Sequence, residues 1–268
     1  QRNYDKFTAQ IDEYKKYFEI NTVHYITLVN FVINGGNDRK GKYFTADKWC
    51  LSIAKKHGYD PTFYDEKVIT PARIKGMAYV LTKAIRNRVQ LLRETYAKQI
   101  AVIKLLEKFP DKKGIVFSES TEVCDKVYTM AVNIGIKATI FHSKIKPRML
   151  PGKRGKLIKF GATRLKKKAI DDMESGEATV LITGSSFDKG YNEESIKLSI
   201  TMSSSRDTTK YQQRGGRAKR VKDDTTALLI NLYVKNTVDE DSLVSRQRNV
   251  EHLIIETDSI DTIGYKTS

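Results

Sequence analysis

Three side chains in the C-terminal third of the chain have the types and spacing to contact a phosphate group: Gln213, Arg217 and Arg220. On a helix these positions are i, i+4 and i+7, so the three side chains lie on one face. Two guanidinium groups and an amide on one face can hydrogen-bond the oxygens of a transferring phosphoryl group. The same pattern is equally typical of a basic surface helix that contacts the phosphate backbone of a nucleic acid.

A second polar segment follows the apolar run 180–183. Thr183 and Gly184 offer a small hydroxyl and backbone N–H groups that can meet phosphate oxygens. Gly190 allows a backbone to approach a ligand closely, and the amide of Asn192 can hydrogen-bond a ribose hydroxyl. Taken alone, the segment is more typical of an ordinary loop between a strand and a helix.

Residues 144–168 form a strongly basic segment, with eleven Lys and Arg among twenty-five residues and no acidic one. Because a solubilising surface normally mixes charges of both signs, we predict contact with a phosphate backbone, with Lys153 and Arg154 among the contacting residues. Pro and Gly residues in its first part predict a loop that leads into a helix near Arg164. The alternative is a solvated basic loop that binds nothing.

The composition of the whole chain points to the same class of partner. Its 268 residues carry 48 Lys and Arg against 32 Asp and Glu, a net charge of +16, which favours nucleic acid or an anionic membrane. The 40% apolar content excludes wholesale disorder, and no apolar run approaches the ~20 residues of a membrane span or resembles a leader. Cys50 and Cys124 match no metal-ligand spacing and no disulfide framework, so we expect an intracellular protein without a metal site.

Short apolar runs alternate with helical patterns from about Asp111 onward. This alternation predicts an α/β fold, a parallel sheet with helices on both faces, whose ligands bind at the carboxyl ends of the strands. Strands are predicted near 114–118, 137–142, 178–183, 196–202 and 226–234, and helices near 121–134, 164–174, 207–220 and 238–255.

The first 110 residues have a different pattern. It predicts a helix over 1–18, a strand over 23–33, a helix over 45–56, and a long amphipathic helix or helix pair over 77–108. The composition changes at 109–111, so we place a domain boundary there. Residues 1–76 form a smaller mixed segment that is linking or inserted, residues 77–110 form a connecting helix, and residues 111–268 form the α/β domain.

The segment Gly36-Asn-Asp-Arg-Lys-Gly-Lys-Tyr43 has most of the spacing of a phosphate-binding P-loop. Its last position holds Tyr43, which cannot act as the small hydroxyl that binds Mg²⁺ in such a loop. A hairpin turn over Asn34–Lys42 is the simpler interpretation.

Several of these segments, in this order, resemble the motifs of superfamily 2 helicases. Lys-Gly-Tyr-Asn at 189–192, followed about twenty residues later by Gln-x-x-Gly-Arg-x-x-Arg at 213–220, resembles motifs V and VI. The strand end at 115–120 is similar to motif IV. Further similarities at 141–144, 173–177 and 231–240, the last to phage and bacterial members, extend the resemblance over roughly 83–255.

The resemblance implies a second RecA-like domain, the C-terminal domain of an ATP-dependent helicase. In that family ATP and Mg²⁺ lie between two RecA-like domains and are bound mainly by the first one, which this chain lacks, so we expect the chain alone to be inactive. The implied roles are an arginine finger for Arg220, a phosphate contact for Arg217 and orientation of the γ-phosphate or attacking water for Gln213. Gly190 and Asn192 would approach the nucleotide ribose.

The resemblance also implies contact with a nucleic-acid strand through Ser118, Ser120, Thr183 and Gly184. Gln213 stands where DEAD-box RNA helicases carry His, so we expect DNA rather than RNA as the partner, and no membrane. A phage-encoded protein would act in the host cytoplasm. The alternative function is a non-catalytic nucleic-acid-binding module on a RecA-like scaffold, in which Arg217 and Arg220 only touch phosphates.

Overall fold

The computed structural model describes residues 1–19, 24–38, 40–62, 68–151, 156–184, 196–203, 227–247 and 256–263. The chain divides into two compact units, Gln1–Leu91 and Leu92–Ser268. The division into 1–76, 77–110 and 111–268 stays a prediction.

The first unit is built mainly from helices around a small apolar core that includes Phe18, Leu28, Ile53 and Leu81, all fully buried. Its elements are α1 (Arg2–Lys15), α2 (Tyr25–Asn34), β1 (Gly36–Asn37), β2 (Tyr43–Phe44), α3 (Ala46–Lys56) and α4 (Pro71–Arg93), the last of which ends just beyond the unit.

The strand predicted over 23–33 is wrong, because most of this segment is helix α2. Its β-branched residues favour a strand locally, but Leu28, Val29 and Val32 are buried at helical spacing. The His24 side chain also accepts a hydrogen bond from the Ile26 N–H at the start of the helix. Burial of one helical face therefore outweighs the local preference.

The second unit contains a five-stranded sheet and confirms the predicted fold class, a RecA-like α/β sheet flanked by helices. The strand order is β4-β7-β3-β8-β9, and every neighbouring pair is parallel. In chain order the described elements are α5 (Tyr96–Lys108), β3 (Gly114–Phe117), α6 (Thr121–Asn133), β4 (Ala138–Phe141), β5 (Arg148–Pro151), β6 (Leu157–Phe160), α7 (Ala162–Ser175), β7 (Val180–Thr183), β8 (Leu198–Thr201), β9 (Leu228–Asn231) and α8 (Val238–Gln247).

Both faces of this sheet are covered. Side chains of successive strand residues point to opposite faces, so Val116 and Ile182 pack with α5 and α6 on one side. Phe117 and Leu181 pack with Ala169 and other residues of α7 on the other side. Because both faces are buried, the strands are short continuous apolar runs, which is why their positions were predictable.

The loop predicted for the first part of 144–168 is wrong, because β5 and β6 form an antiparallel hairpin there. The prolines and glycines around these strands hid two apolar runs that pair across the hairpin. The helix predicted near Arg164 is confirmed as α7. The helix predicted over 207–220 lies outside the described residues.

Candidate functional site

Four buried polar residues lie together at the carboxyl edge of the sheet. Ser118 follows β3, His142 follows β4, Thr183 ends β7 and Ser203 lies just after β8. Because parallel strands end at the same edge, residues far apart in the sequence meet here. This edge is where an open α/β sheet normally binds its ligands, and it is the candidate site.

Backbone hydrogen bonds hold three of these strand ends in place. The Ser118 N–H donates to the Thr183 carbonyl at 3.0 Å, and the Gly184 N–H donates to the Phe141 carbonyl at 3.2 Å. The Thr183 hydroxyl also donates to the Phe141 carbonyl, at 2.8 Å. The ends of β3, β4 and β7 are therefore locked together immediately before the polar segment that begins after Gly184.

The fourth strand end is fixed to the first by side chains. The Glu119 N–H donates to the Ser203 Oγ at 3.0 Å, and the Glu119 carboxylate pairs with Arg93. The buried Lys98 ammonium donates to the Met202 carbonyl at 3.0 Å. These contacts position the backbone from which the segment with Gln213 departs.

The serines after β3 organise the start of helix α6. The Ser120 Oγ accepts from the Val123 N–H at 3.4 Å, which caps the helix, and the Ser118 Oγ accepts from the Ser120 N–H at 3.3 Å. Both hydroxyls are therefore used to shape the turn, so any contact of these residues with a ligand would add to a structural role.

Gly184 is the point of closest packing at this edge. A Cβ built on it would lie 3.3 Å from the Cβ of His142 and 3.8 Å from the Ser118 carbonyl oxygen. A larger side chain would therefore push on β4, which explains a glycine here without any ligand.

His142 links the sheet edge to the hairpin. Its ring is fully buried, and its Nε2 lies 3.3 Å from the Asp125 Oδ1, which also accepts from the Arg148 guanidinium at 3.3 Å. Within the described residues, the His142 Nδ1 has no hydrogen-bond partner. The Arg148 guanidinium in turn lies 5.0 Å from the centre of the Tyr128 ring.

The structure brings four predicted site residues to one edge: Ser118, Ser120, Thr183 and Gly184. Their contact with a nucleic-acid strand stays a prediction. The other seven lie outside the described residues, so their predicted roles also stay predictions: Lys153, Arg154, Gly190, Asn192, Gln213, Arg217 and Arg220.

The segment with P-loop-like spacing is a hairpin, as predicted, with β1 and β2 paired antiparallel. The N–H groups of Lys40 and Lys42 both donate to the Asp38 carboxylate at 2.9 Å. Donors that would bind phosphate in a P-loop are thus satisfied by an anion of the turn itself. The Trp49 Nε1–H donates to the Gly36 carbonyl at 3.0 Å and fixes the hairpin on α3.

Sequence reasoning missed Ser203, Asp125 and Lys98 as parts of this edge. Ser203 has a usable signal, since it directly follows a predicted strand whose carboxyl end faces the site. Asp125 and Lys98 have none, because both lie on helices and their partners come from distant segments.

The described residues contain no group of three or more His, Cys, Asp and Glu side chains that could hold a metal ion. None of the helices in the described part of the chain has both the length and the apolar character that a membrane crossing requires.

The two cysteines are free and buried, and we expect neither to act as a nucleophile. Burial, aided by the Asp125 charge, raises the pKa of Cys124 to about 12, and burial also raises the pKa of Cys50. The reactive thiolate is therefore scarce at neutral pH. Iodoacetamide at pH 8 should leave both thiols unmodified in the folded protein and modify both in denaturant, as counted by mass spectrometry. Fast modification of Cys124 in the folded protein would contradict this prediction.

Residues 97–222 match the family model described as the helicase conserved C-terminal domain. The matched segment lies within the second unit and covers just under half of the chain. The matched segment includes, as sequence, Gly190, Asn192, Gln213, Arg217 and Arg220. No match to a curated protein is found.

Three solved structures are among those to which this chain is similar. The C-terminal domain of the DEAD-box protein Dbp5 is 17% identical, with a TM-score of 0.45 over 58% of this chain and 79% of that one. The C-terminal part of the Fun30 ATPase domain is 16% identical, with a TM-score of 0.48 over 93% and 85%. The Hef helicase domain of Pyrococcus furiosus is 22% identical, with a TM-score of 0.42 over 76% and 37%.

Proposed function

We propose that this chain forms the second RecA-like domain, with a preceding linking or inserted segment, of a superfamily 2 helicase or translocase that acts on DNA inside the cell. We assign it to the phage or bacterial type. The observation that carries the proposal is the match over 97–222, which includes both polar segments of the sequence and extends just beyond Arg220.

In the proposed enzyme, ATP lies between this domain and a first RecA-like domain, which binds most of the nucleotide and its Mg²⁺ ion. Arg220 reaches the γ-phosphate as an arginine finger, and Arg217 contacts the same phosphate. Gln213 orients the γ-phosphate or the attacking water. Gly190 and Asn192 lie against the ribose. The chemistry required of this chain is therefore positioning and charge stabilisation.

The carboxyl edge supports this assignment by its geometry. Thr183 and Gly184 immediately precede the segment with Gly190 and Asn192, and Ser203 precedes the segment with Arg220. The strands that these two segments follow in the sequence, β7 and β8, end at the same edge of the sheet. The strand contacts proposed for Ser118, Ser120, Thr183 and Gly184 use the same edge, and Lys153 and Arg154 add contacts to the phosphate backbone.

The chain of residues 1–268 by itself should not hydrolyse Mg-ATP, because the proposed role leaves Mg²⁺ binding and water activation to another domain. A phosphate-release assay should give background rates for the chain and for its Lys42→Ala variant. Turnover above background that Lys42→Ala abolishes would overturn this prediction and favour a P-loop at 36–42.

Experiments on the full-length protein distinguish the helicase assignment from the alternative, a non-catalytic nucleic-acid-binding module. If Arg220→Ala abolishes ATP hydrolysis and leaves DNA affinity nearly unchanged, the helicase assignment is supported. If ATP hydrolysis is absent from the wild-type protein and Arg220→Ala only weakens DNA binding, the module is the better assignment.

A further inference from the structure

The hairpin of β5 and β6 has an inner and an outer face. Leu150 and Phe160 pack on the apolar core of the second unit, so they mark the inner face. Met149 pairs with Lys159 and Pro151 pairs with Leu157, and these positions alternate with the inner ones. Met149 and Leu157 accordingly are 54% and 58% exposed.

This outer face is unusual in its composition. The solvent side of an antiparallel pair normally carries polar residues. Single exposed apolar side chains are common, but Met149 and Leu157 are diagonal neighbours on one face and together make a two-residue apolar patch. Such a patch is typical of a surface that contacts another molecule.

The charge around the patch indicates what that molecule is. Lys156 and Lys159 are exposed beside it, and no ion pair in the described part of the chain involves either of them. The whole segment 144–168 carries eleven basic residues and no acidic one. Cations next to apolar side chains are complementary to a nucleic acid whose bases are unpaired, because phosphates meet the cations and base faces meet the apolar groups.

The base of the hairpin is fixed to the rest of the second unit. Arg148, the first residue of β5, donates to the Asp125 carboxylate of α6 at 3.3 Å, and the buried His142 ring contacts the same carboxylate. At the other strand, the Arg164 guanidinium of α7 lies 4.0 Å from the centre of the Phe160 ring. The outer face is therefore held in one orientation, near the carboxyl edge where β4 ends.

We propose that Met149 and Leu157 on the outer face of this hairpin bind unpaired bases, so that the protein prefers single-stranded over double-stranded nucleic acid. Lys156 and Lys159 bind the phosphates of the same strand. A duplex hides its base faces in the stack and can use only these cations. This inference deepens the proposed function and rests on its nucleic-acid partner.

The test is the affinity of the full-length protein for a fluorescent twenty-nucleotide single strand and for the matching duplex, measured by anisotropy. The double variant Met149→Ser with Leu157→Ser should bind the single strand about tenfold more weakly, since it loses two apolar contacts, and bind the duplex with unchanged affinity. Lys156→Gln with Lys159→Gln should weaken binding to both and reduce the salt dependence by the equivalent of about two phosphate contacts.

A matched control is available on the same unit. Val132 and Ile134, at the end of α6, are 43% and 48% exposed, so Val132→Ser with Ile134→Ser removes comparable apolar surface away from the hairpin. Both double variants should keep the wild-type melting temperature, and only the hairpin variant should lose single-strand affinity.

Three results would overturn the inference. The first is an unchanged affinity of the hairpin variant for the single strand, and the second is an equal loss of affinity for single strand and duplex. The third is a variant that loses only self-association, as measured by sedimentation, because the patch would then bind a second copy of this chain. If the wild-type protein does not hydrolyse ATP but the hairpin variant still loses the preference for single strands, the inference is supported and the proposed helicase is contradicted. The failure of one can therefore be distinguished from the failure of the other.

Discussion

Replacement of Arg220 by Ala in the full-length protein should lower the maximal rate of ATP hydrolysis by about 10³-fold or more, as loss of an arginine finger does in comparable enzymes. The reason is that, in the proposed role, the guanidinium group of Arg220 stabilises charge that develops in the transition state. Arg220→Lys should recover only a small part of the rate, because an ammonium group keeps the charge but lacks the planar fork. Steady-state rates at saturating ATP and DNA measure both effects.

Lys219→Ala is the matched control for this experiment. On the predicted helix, Lys219 lies away from the face shared by Gln213, Arg217 and Arg220. Its removal deletes a neighbouring positive charge and should leave the hydrolysis rate within about twofold. Equal losses in Lys219→Ala and Arg220→Ala would contradict a specific role for Arg220.

Replacement of Lys98 by Met should lower the free energy of unfolding of the second unit by about 3 kcal/mol. The reason is that the change leaves the Asp239 carboxylate without its counter-ion. The Lys98 side chain is 4% exposed and pairs with Asp239, which also accepts from the Val234 N–H at 3.0 Å. The lysine also holds the Met202 carbonyl at the end of β8. Urea unfolding followed by circular dichroism measures the change.

Lys104 on the same helix α5 is exposed, so Lys104→Met makes the same chemical change without breaking a buried pair. Its effect should stay within about 0.5 kcal/mol. A loss below about 1 kcal/mol for Lys98→Met would show that the pair contributes little more than an exposed one.

The sheet could be predicted from the sequence because its strands are short apolar runs that are buried on both faces. The run at 114–118 and the run at 178–183 coincide with β3 and β7 to within two residues. The predicted strand at 23–33 failed because local β-branched residues there are buried at helical spacing. The hairpin at 148–160 was missed because its strands are brief and lie among prolines and glycines.

The candidate site was partly predictable for a different reason. Ser118 and Thr183 stand at the ends of predicted parallel strands, and the topology alone brings such residues to one edge. The pair of Lys98 and Asp239 could not be predicted, since its members are 141 residues apart and only the folded chain brings them together. The link from His142 through Asp125 to Arg148 likewise depends on how α6 packs beside β4.

The most direct measurement is a crystal structure of the full-length protein with single-stranded DNA, ADP and a fluoride mimic of the transferring phosphoryl group. We expect a guanidinium nitrogen of Arg220 about 3 Å from the mimic, with Arg217 and Gln213 on the same helical face. The account would be contradicted if these three side chains were splayed apart or faced away from the carboxyl edge of the sheet.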